Sequence, residues 1–405
     1  MRIVEINMCA IGSTGKIMFQ IANRARKSGH MVNTYSTYAP SKKYKKLPDP
    51  PEGHKYYGSY LSTMLHYGVA RIFGRNGCYS ITATKRLIRE IKKSQPDILH
   101  LHNLHCYCIN FPLLFKYIKQ NNIRVIWTLH DCWTFTGHCP HFDMIGCDKW
   151  KTGCYQCPQT GEYPASYTDT SKWMYEHKKQ WFTGVENMTL VTPSQWLADL
   201  TRQSFLKDYP VKVINNGIDL SVFKPTESDF RKKYGLEDKF ILLGVAFGWG
   251  KKKGLDVFIE LSKRLDERYQ IVLVGTNEKV DKQLPKNILS IHRTQNQTEL
   301  AEIYTAADLF VNPTREENYP TVNMESLACG TPIITFKTGG SPEIIDESCG
   351  VVVGKDDIEG MKREIERIYA ERPFSREACL KRAQQFDMND KFAEYVELYE
   401  KQRGK

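Results

Sequence analysis

Short apolar runs recur along the chain, and each of them ends in glycine or polar residues. In the first half they occupy residues 3–6, 31–35, 98–102, 125–131, 190–194 and 211–217. In the second half they occupy residues 240–244, 271–275, 309–311, 333–336 and 351–353. Intervening stretches such as residues 16–27 and 255–265 carry apolar side chains at the spacing of one helix face. This alternation of strands and helices predicts parallel α/β sheets.

The pattern begins twice, which predicts two domains. A strand, a loop from Gly12 to Gly15 and a helix open the chain in the order typical of a Rossmann-like half. The same order restarts after Gly217, and 405 residues are too many for one ordinary core. We therefore predict doubly wound α/β domains at residues 1–216 and 217–380. A charged helical stretch, from about residue 376, runs through a last segment at 381–405.

Residues 132–158 interrupt the pattern with cysteines, histidines, glycines and prolines. The spacing of Cys139, Cys147, Cys154 and Cys157, with a knuckle-like Cys-x-x-Cys pair at its end, indicates a structural zinc site. Cys132 or His141 could replace one of these ligands. A loop with so little apolar content is expected to need a metal to order it. The alternatives are unligated thiols in a packed loop, or disulfides.

The balance of charge points to acidic partners. Apolar residues make up 41% and charged residues 25%, as in an ordinary globular protein, but the net charge is +11. Residues 41–95 hold 12 Lys and Arg against three Asp and Glu, interleaved with aromatic side chains. This stretch is either a solvated basic face or a surface for anionic lipid headgroups or a lipid-linked acceptor. Nucleic acid is not expected, because no recognition helix accompanies the cysteines.

Targeting signals are not evident in the sequence. No run of 18 or more apolar residues appears, so no transmembrane helix is predicted. Residues 3–6 include the acidic Glu5 and are interpreted as a first strand rather than part of a signal peptide. Twelve cysteines without an export signal favour reduced thiols in the cytoplasm. We expect a cytoplasmic protein, at most peripheral on the inner face of the membrane.

Two glutamates follow the apolar run at residues 309–311. Glu317 is expected on the loop at the carboxyl end of that strand, where open α/β sheets bind ligands. Pro320 suits a helix start and Gly330 a helix end, so Glu325 should lie on that helix, about a turn and a half from Pro320. The bare pair would more often be surface carboxylates, but the flanking sequence favours a ligand site.

The flanking motifs resemble those of a known family, the retaining GT-B glycosyltransferases of family 4. The resemblance covers nearly the whole chain. It is carried by Glu317-x7-Glu325, residues 339–343 (Gly-Gly-Ser-Pro-Glu), the pair Lys253-Gly254, and residues 128–131 (Thr-Leu-His-Asp). The cysteine-rich segment resembles a subgroup that builds bacterial surface polysaccharides. The family fold implies two Rossmann-like domains facing each other across a cleft, with a C-terminal helix that packs back on the first domain.

The resemblance also implies roles for individual residues. Glu317 would contact hydroxyls of the donor sugar, Glu325 the ribose, and Lys253 the diphosphate, whose growing charge a placed cation stabilises. His130 would lie beside the donor sugar, and the loop carrying Gly15 would approach the diphosphate or the acceptor. The remaining donor-site residues implied by the resemblance are Lys252, Arg293, Asn318, Tyr319, Thr321 and Val322.

The chain departs from the family pattern at two places. No arginine precedes Lys253 in the strand–loop, so the second cation must be Lys252, Lys251 or the more distant Arg293. Family members commonly have glycine on both sides of the aromatic residue that follows the first Glu. In this chain Asn318 and Pro320 stand at those two positions. Because proline has no N–H to donate, the sugar should be recognised partly through the Asn318 side chain.

We therefore predict a retaining transferase that moves a hexose-type sugar from a UDP- or GDP-sugar to a hydroxyl of a saccharide or lipid-linked acceptor. No catalytic metal is expected, because no Asp-x-Asp motif lies near the relevant strands. The alternatives are a sugar-nucleotide epimerase, a glycoside phosphorylase, or a non-catalytic sugar-nucleotide-binding assembly protein. A two-carboxylate hydrolase is disfavoured, since the resemblance places Glu317 and Glu325 at opposite ends of the sugar nucleotide.

Overall fold

The computed structural model describes residues 1–37, 51–105 and 107–403. The chain forms two compact units. The first comprises residues 1–142, 146–215 and 391–405, and the second comprises residues 143–145 and 216–390. Each unit contains one fully parallel sheet, so the predicted fold class of two α/β Rossmann-like domains is confirmed.

The first unit is built on a seven-stranded sheet in the order β3-β2-β1-β4-β5-β6-β7. Its strands are β1 Arg2–Ile6, β2 Met31–Thr37, β3 His54–Gly58, β4 Ile98–Leu101, β5 Val125–Thr128, β6 Met188–Thr192 and β7 Val211–Val213. Its helices are α1 Gly12–Lys27, α2 Tyr60–Phe73, α3 Ile81–Ser94, α4 Phe111–Gln120, α5 Ser171–Phe182 and α6 Gln195–Gln203. Strands β4, β5 and β6 are buried along their whole length, as expected of a sheet with both faces covered.

The second unit has a six-stranded sheet in the order β10-β9-β8-β11-β12-β13. Its strands are β8 Phe240–Val245, β9 Tyr269–Val274, β10 Ile288–Ile291, β11 Leu309–Asn312, β12 Ile333–Phe336 and β13 Gly350–Val353. Its helices are α7 Phe230–Tyr234, α8 Leu255–Arg264, α9 Glu278–Asp281, α10 Gln297–Ala306, α11 Thr321–Ala328, α12 Ser341–Ile344, α13 Ile358–Glu371 and α14 Arg376–Ala383. Separate apolar cores pack on the two faces of this sheet.

The strand order creates one topological switch point in each sheet. In the second unit the chain starts at β8, winds outward through β9 and β10, and returns to β11 on the other side of β8. The loops that follow β8 and β11 therefore lie side by side at the carboxyl edge, where the winding reverses. Doubly wound sheets bind ligands in a crevice outside this edge. In the first unit, β1 and β4 have the same relationship.

The C-terminal stretch, predicted to be helical from about residue 376, forms two helices with a break between them. Helix α14 is followed by a 3-10 turn, Gln384–Phe386, and by α15, Met388–Arg403. The break has a backbone cause: the Ile218 N–H donates to the Phe386 carbonyl at 2.8 Å, and the Met388 N–H donates to the Ile218 carbonyl at 2.9 Å. Met388 therefore cannot continue the i to i−4 ladder from α14. Most of α15 belongs to the first unit.

One further expectation changes. Helix α1 begins at Gly12, so the predicted glycine loop is the first turn of the helix. Within the described ranges, no helix combines the length and apolar character needed to cross a membrane. The four lysines of the basic stretch expected to meet anionic lipid lie outside the described residues: Lys42, Lys43, Lys45 and Lys46.

Candidate functional site

The switch point of the second unit brings together two predicted site residues. Lys253 ends a 3-10 turn, Lys251–Lys253, in the loop after β8, and Glu317 lies in the loop after β11. The Lys253 Nζ lies 2.6 Å from the Glu317 Oε2. The side chains are 37% and 23% exposed, so water still reaches both charges. A pair this exposed contributes at most about 1 kcal/mol and can be opened by a ligand at low cost.

Backbone packing brings the two loops close together. Gly254 has a φ of +74°, and a Cβ there would lie 2.5 Å from the Pro313 carbonyl oxygen. The Arg315 N–H donates to the Lys252 carbonyl at 2.9 Å. The structure therefore explains the glycine of the Lys253-Gly254 pair. Only glycine can adopt this positive φ and still pack against the loop that carries Glu317.

Arg315 is the buried ion-pair centre of this edge, and the sequence patterns did not reveal it. Its guanidinium donates to both carboxylate oxygens of Asp256 at 2.7 and 2.9 Å, and to Asp356 at 2.5 Å. It also donates to the Lys251 carbonyl at 2.6 Å. The side chain is only 6% exposed, and such bidentate pairs are geometrically specific. Arg315 therefore joins the loops after β8, β11 and β13.

Gly339 supports Glu317 from the loop after β12. Its φ is +54°, and a Cβ there would lie 1.8 Å from the Glu317 carbonyl oxygen. The Gly340 N–H donates to the Asn318 carbonyl at 2.8 Å. The Gly-Gly pair recognised in the sequence thus lies directly under the Glu317–Asn318 backbone and fixes its position.

The two alternative cations occupy different environments. The Lys252 Nζ lies 3.0 Å from the Glu316 Oε2, and the Glu316 side chain is 3% exposed. A buried carboxylate needs a compensating charge, so Lys252 has a structural partner already. Arg293 is exposed in the loop after β10, also at the carboxyl edge of the sheet.

Helix α11 carries the other donor-site candidates. Glu325 is half-buried and accepts a hydrogen bond from the Tyr304 hydroxyl at 3.3 Å. Thr321 and Val322 are half-buried on its first turn, whereas Asn318 and Tyr319, before it, are 5% exposed. Burial raises the pKa of the Tyr319 hydroxyl, which keeps this side chain neutral.

The first unit holds the remaining candidates. His130 follows β5 and is half-buried, with its Nε2 at 3.2 Å from the Nδ1 of the fully buried His102. Burial lowers the pKa of His130 to about 3, so the imidazole is neutral near pH 7. Gly15 is buried in α1, and a Cβ there would lie 2.9 Å from the Cys9 carbonyl. This close approach is to its own chain, which is a structural reason for the glycine.

The four cysteines proposed as zinc ligands surround one cavity. Cys139, Cys147, Cys154 and Cys157 all line it, together with His138, whose Nε2 has no hydrogen-bond partner within the described ranges. Cys132 and His141 are not among its lining residues. In the described part of the chain, the only three potential metal ligands whose atoms all lie within 4.8 Å of one another are Glu5, His100 and His102. The sulfurs therefore share a cavity without converging on one point.

The expectation that this segment lacks apolar packing is wrong. Trp133, Phe135, Phe142 and Trp150 are at most 7% exposed and belong to the core of the first unit. The Phe142 and Trp150 rings stack at 5.1 Å between centroids. Aromatic burial of this size orders a loop by itself, so a metal is not needed for that purpose.

Sequence comparison identifies the family. Residues 15–222 match the family model described as Glycosyltransferase Family 4, and residues 238–371 match Glycosyl transferases group 1. The chain belongs to glycosyltransferase family 4. Together the two matches cover every strand except β1, and they leave out residues 1–14, 223–237 and 372–405.

Individual relatives agree with this assignment. The chain is 25% identical over 308 residues to the putative colanic acid biosynthesis glycosyl transferase WcaC of Escherichia coli K12, covering 74% of this chain and 73% of WcaC. Its fold is similar to sucrose-phosphate synthase of Thermosynechococcus elongatus, with a TM-score of 0.71, 17% identity and 98% of each chain covered. It is also similar to Anabaena HepE in complex with UDP-glucose, with a TM-score of 0.67, 13% identity, and 98% and 99% of the two chains covered. The GT-B fold is thereby established.

Gly339→Ala should destabilise the protein by more than the backbone strain of an alanine at positive φ accounts for. Gly235 is a matched control, since its φ is +63° but a Cβ there would meet nothing within 4 Å. We expect Gly235→Ala to lower the free energy of unfolding by about 1 kcal/mol through backbone strain. Gly339→Ala should cost clearly more, because of its clash with the Glu317 carbonyl. Urea unfolding measures both, and equal losses would contradict the support role of Gly339.

Proposed function

We propose that this glycosyltransferase binds a sugar nucleotide at the switch point of its second unit and transfers the sugar with retention of configuration. The observation that carries the proposal is the Lys253–Glu317 pair at 2.6 Å, in the loops that flank the crevice. A cation for a diphosphate and an acceptor for sugar hydroxyls lie side by side there. A sugar nucleotide presents these two chemical groups adjacent to each other.

Different charged residues bind different parts of the sugar nucleotide. Lys253 is the primary diphosphate ligand, because Lys252 already neutralises the buried Glu316. Arg293 is the second cation, free to reach the ligand from its exposed loop. Glu317 accepts from sugar hydroxyls, and Glu325, one helical turn into α11, accepts from the ribose. The Asn318 and Tyr319 segment, with Thr321 and Val322, completes the donor site.

The reaction proceeds by departure of the diphosphate on the face that the acceptor hydroxyl attacks. Lys253 stabilises the charge that grows on the leaving phosphate, an effect larger in the transition state than in the ground state. The leaving phosphate oxygen takes the acceptor proton, so the protein supplies no separate base. The family resemblance assigns His130 to the donor sugar and Gly15 to the diphosphate or the acceptor, and both assignments stay proposals.

We propose substrates on the basis of the relatives. HepE was solved with UDP-glucose, which supports a UDP-sugar as the first donor to test. WcaC is named for colanic acid biosynthesis, which supports a saccharide or lipid-linked acceptor of a surface polysaccharide. Epimerase or phosphorylase activity stays the alternative, and product analysis separates them: only transfer joins two saccharides and releases the nucleoside diphosphate.

Changing Lys253 and Glu317 separately should separate diphosphate binding from sugar recognition. Lys253→Ala is expected to weaken UDP binding about 10- to 100-fold, the equivalent of one charge-assisted hydrogen bond. Glu317→Gln should leave UDP affinity unchanged or tighter, because it removes a carboxylate beside the phosphates. Its transfer rate should nevertheless fall at least about 100-fold. Calorimetry with UDP, and a transfer assay with NMR of the product anomer, provide the measurements.

The control is a second Lys–Glu pair in the same unit. Lys263 and Glu260 form an exposed ion pair at 3.2 Å on α8. Lys263→Ala and Glu260→Gln change the same charges and should leave binding and transfer unaltered. If they weaken UDP binding as much as Lys253→Ala does, the effect is one of net charge and the site assignment fails. An inverted product anomer would contradict retention.

We also infer a structural zinc ion held by Cys139, Cys147, Cys154 and Cys157, with His138 as the fifth candidate ligand. Support comes from the shared cavity and from the Gly137 N–H, which donates to the Cys154 Sγ at 3.1 Å. Burial raises the pKa of the Cys154 thiol to about 11 although that backbone donor lowers it, so a bound zinc ion would have to supply the charge that favours the thiolate. The ion would fix the segment after the aromatic core has ordered it.

Zinc content tests this inference directly. Protein purified without chelator should contain about one zinc per chain. Removing it should lower the melting temperature, and Cys154→Ser with Cys157→Ser should abolish retention of the metal. Cys349→Ser with Cys379→Ser, both buried in the second unit, is the control pair. Absence of zinc in fresh protein, or chelation that leaves the melting temperature unmoved, would contradict the site.

We further propose peripheral binding to an anionic membrane through α2. Leu61, Leu65 and Ile72 lie on one face of this helix and are 68%, 60% and 52% exposed. The neighbouring Phe73 is 58% exposed, and Arg71 lies on the same helix. An exposed apolar stripe beside a cationic side chain is the kind of surface that an interfacial helix presents to a membrane.

Vesicle sedimentation checks the α2 surface. Leu61→Ser with Leu65→Ser should reduce binding to phosphatidylglycerol vesicles roughly 100-fold, because each leucine contributes about 1.5 kcal/mol on burial. Met31→Ser is the control, since Met31 is 64% exposed in the same unit on β2. Equal binding by the double variant and the native chain would show that lipid does not contact α2.

A further inference from the structure

Two arginines at the end of α2 are not used by the proposed donor site. Arg71 lies in the last turn of the helix, and Arg75 follows Gly74, which ends it. In the part of the chain that the structure describes, neither guanidinium forms an ion pair or a hydrogen bond with another residue. Two cations without acids of their own are suited to an anionic ligand.

Each guanidinium lies over an aromatic ring. The Arg71 Cζ is 4.7 Å from the centroid of the Tyr167 ring, and the Arg75 Cζ is 4.5 Å from the centroid of the Trp173 ring. Trp173 also stacks on His177, with 3.7 Å between the ring centroids. A ring face attracts a guanidinium without using its N–H donors, so these donors stay available for the oxygens of a ligand.

The backbone around the arginines is held by residues 167–170. The Tyr167 N–H donates to the Arg71 carbonyl at 2.8 Å. Gly74 has a φ of +80°, and a Cβ there would lie 2.3 Å from the Thr170 Oγ1. The end of α2 is therefore packed against the segment that carries one of the two aromatic rings, and the fold sets where the guanidiniums lie.

Exposed apolar side chains lie beside the two cations. Ile72 and Phe73 stand between the arginines in the chain and are 52% and 58% exposed, and Tyr167 is 77% exposed. With Leu61 and Leu65 of α2, they add up to a large apolar surface on one helix and its neighbour. Free polysaccharides and nucleotides have little aliphatic surface to cover such a patch. An anion that carries a lipid has both properties that this surface requires.

The number of cations favours a diphosphate over a phospholipid headgroup. Arginine binds phosphate oxygens through pairs of parallel N–H donors, which gives each guanidinium one phosphate group to hold. The headgroup of phosphatidylglycerol carries a single negative charge. A lipid that is joined to a saccharide through a diphosphate carries two, which match the two guanidiniums.

We propose that Arg71 and Arg75 bind the diphosphate of a lipid-linked saccharide acceptor, while the exposed face of α2 contacts its lipid. This rests on the proposed transfer to a saccharide or lipid-linked acceptor, and it selects the lipid-linked class. Tyr167 and Trp173 act through the arginines and are positioning residues.

Binding of the full chain to two kinds of vesicle tests the site. Phosphatidylcholine vesicles carry either a polyprenyl diphosphate or phosphatidylglycerol, at equal total charge. The native chain should prefer the polyprenyl diphosphate at least about tenfold, the equivalent of one charge-assisted hydrogen bond. Arg71→Gln with Arg75→Gln should abolish this preference. Tyr167→Ala should reduce it, whereas Tyr167→Phe, which keeps the ring, should retain it.

Two control variants separate this site from net charge and from the donor site. Arg86→Gln with Arg89→Gln removes two exposed arginines from α3 of the same unit. Lys253→Ala removes the cation proposed for the donor diphosphate. Both controls should keep the preference for the polyprenyl diphosphate.

Three results would overturn the proposal. These are equal binding of the native chain to both vesicles, a preference that survives Arg71→Gln with Arg75→Gln, and loss of the preference in either control. A preference that depends on the two arginines, in a chain without transfer activity, would support the lipid diphosphate site and refute the proposed transfer alone.

Discussion

The Arg315 guanidinium is the interaction on which the candidate donor site depends. It is nearly buried, and it joins the loops after β8, β11 and β13 through Asp256, Asp356 and the Lys251 carbonyl. Its aspartate partners are 48% and 52% exposed, so water screens part of each ion pair. The functional pair, Lys253 and Glu317, is partly buried, with side chains 37% and 23% exposed. The Arg315 contacts thus hold two loops in place so that the Lys253–Glu317 pair can exchange partners with a ligand.

The two units use the same design for different purposes. Parallel strands deliver polar side chains to the carboxyl edge of each sheet, where the strand order opens a crevice. In the second unit those side chains are charged and reached by water, as ligand binding requires. In the first unit the polar groups continue inward beneath α15, where Glu5, His100 and His102 replace apolar core. Such buried polar groups rigidify their surroundings only when they are fully paired.

Much of this arrangement was accessible from the sequence, for a physical reason. Strand runs end visibly, which placed Glu317 at the carboxyl edge of the sheet, whereas Lys253 was assigned through the family resemblance. Arg315 could not be assigned, because a charged loop residue is normally expected in solvent. Its two aspartate partners come from distant parts of the sequence, which only the fold brings together. Glu5 stood out only as an acid within an apolar run, since its partners come from β4 and from Tyr399 near the other end of the chain. The aromatic core around Trp150 was missed because its residues have no periodicity.

The central claim is that the loops after β8 and β11 grip the donor together. Hydrogen–deuterium exchange of the full chain, with and without a saturating UDP-sugar, tests it most directly, because it reads each loop separately. The account predicts slower exchange in residues 246–254 and 313–320 at once, with residues 337–340 following through the Gly339–Gly340 support. Protection confined to one of the first two loops, or absent from both while the ligand binds elsewhere, would contradict it.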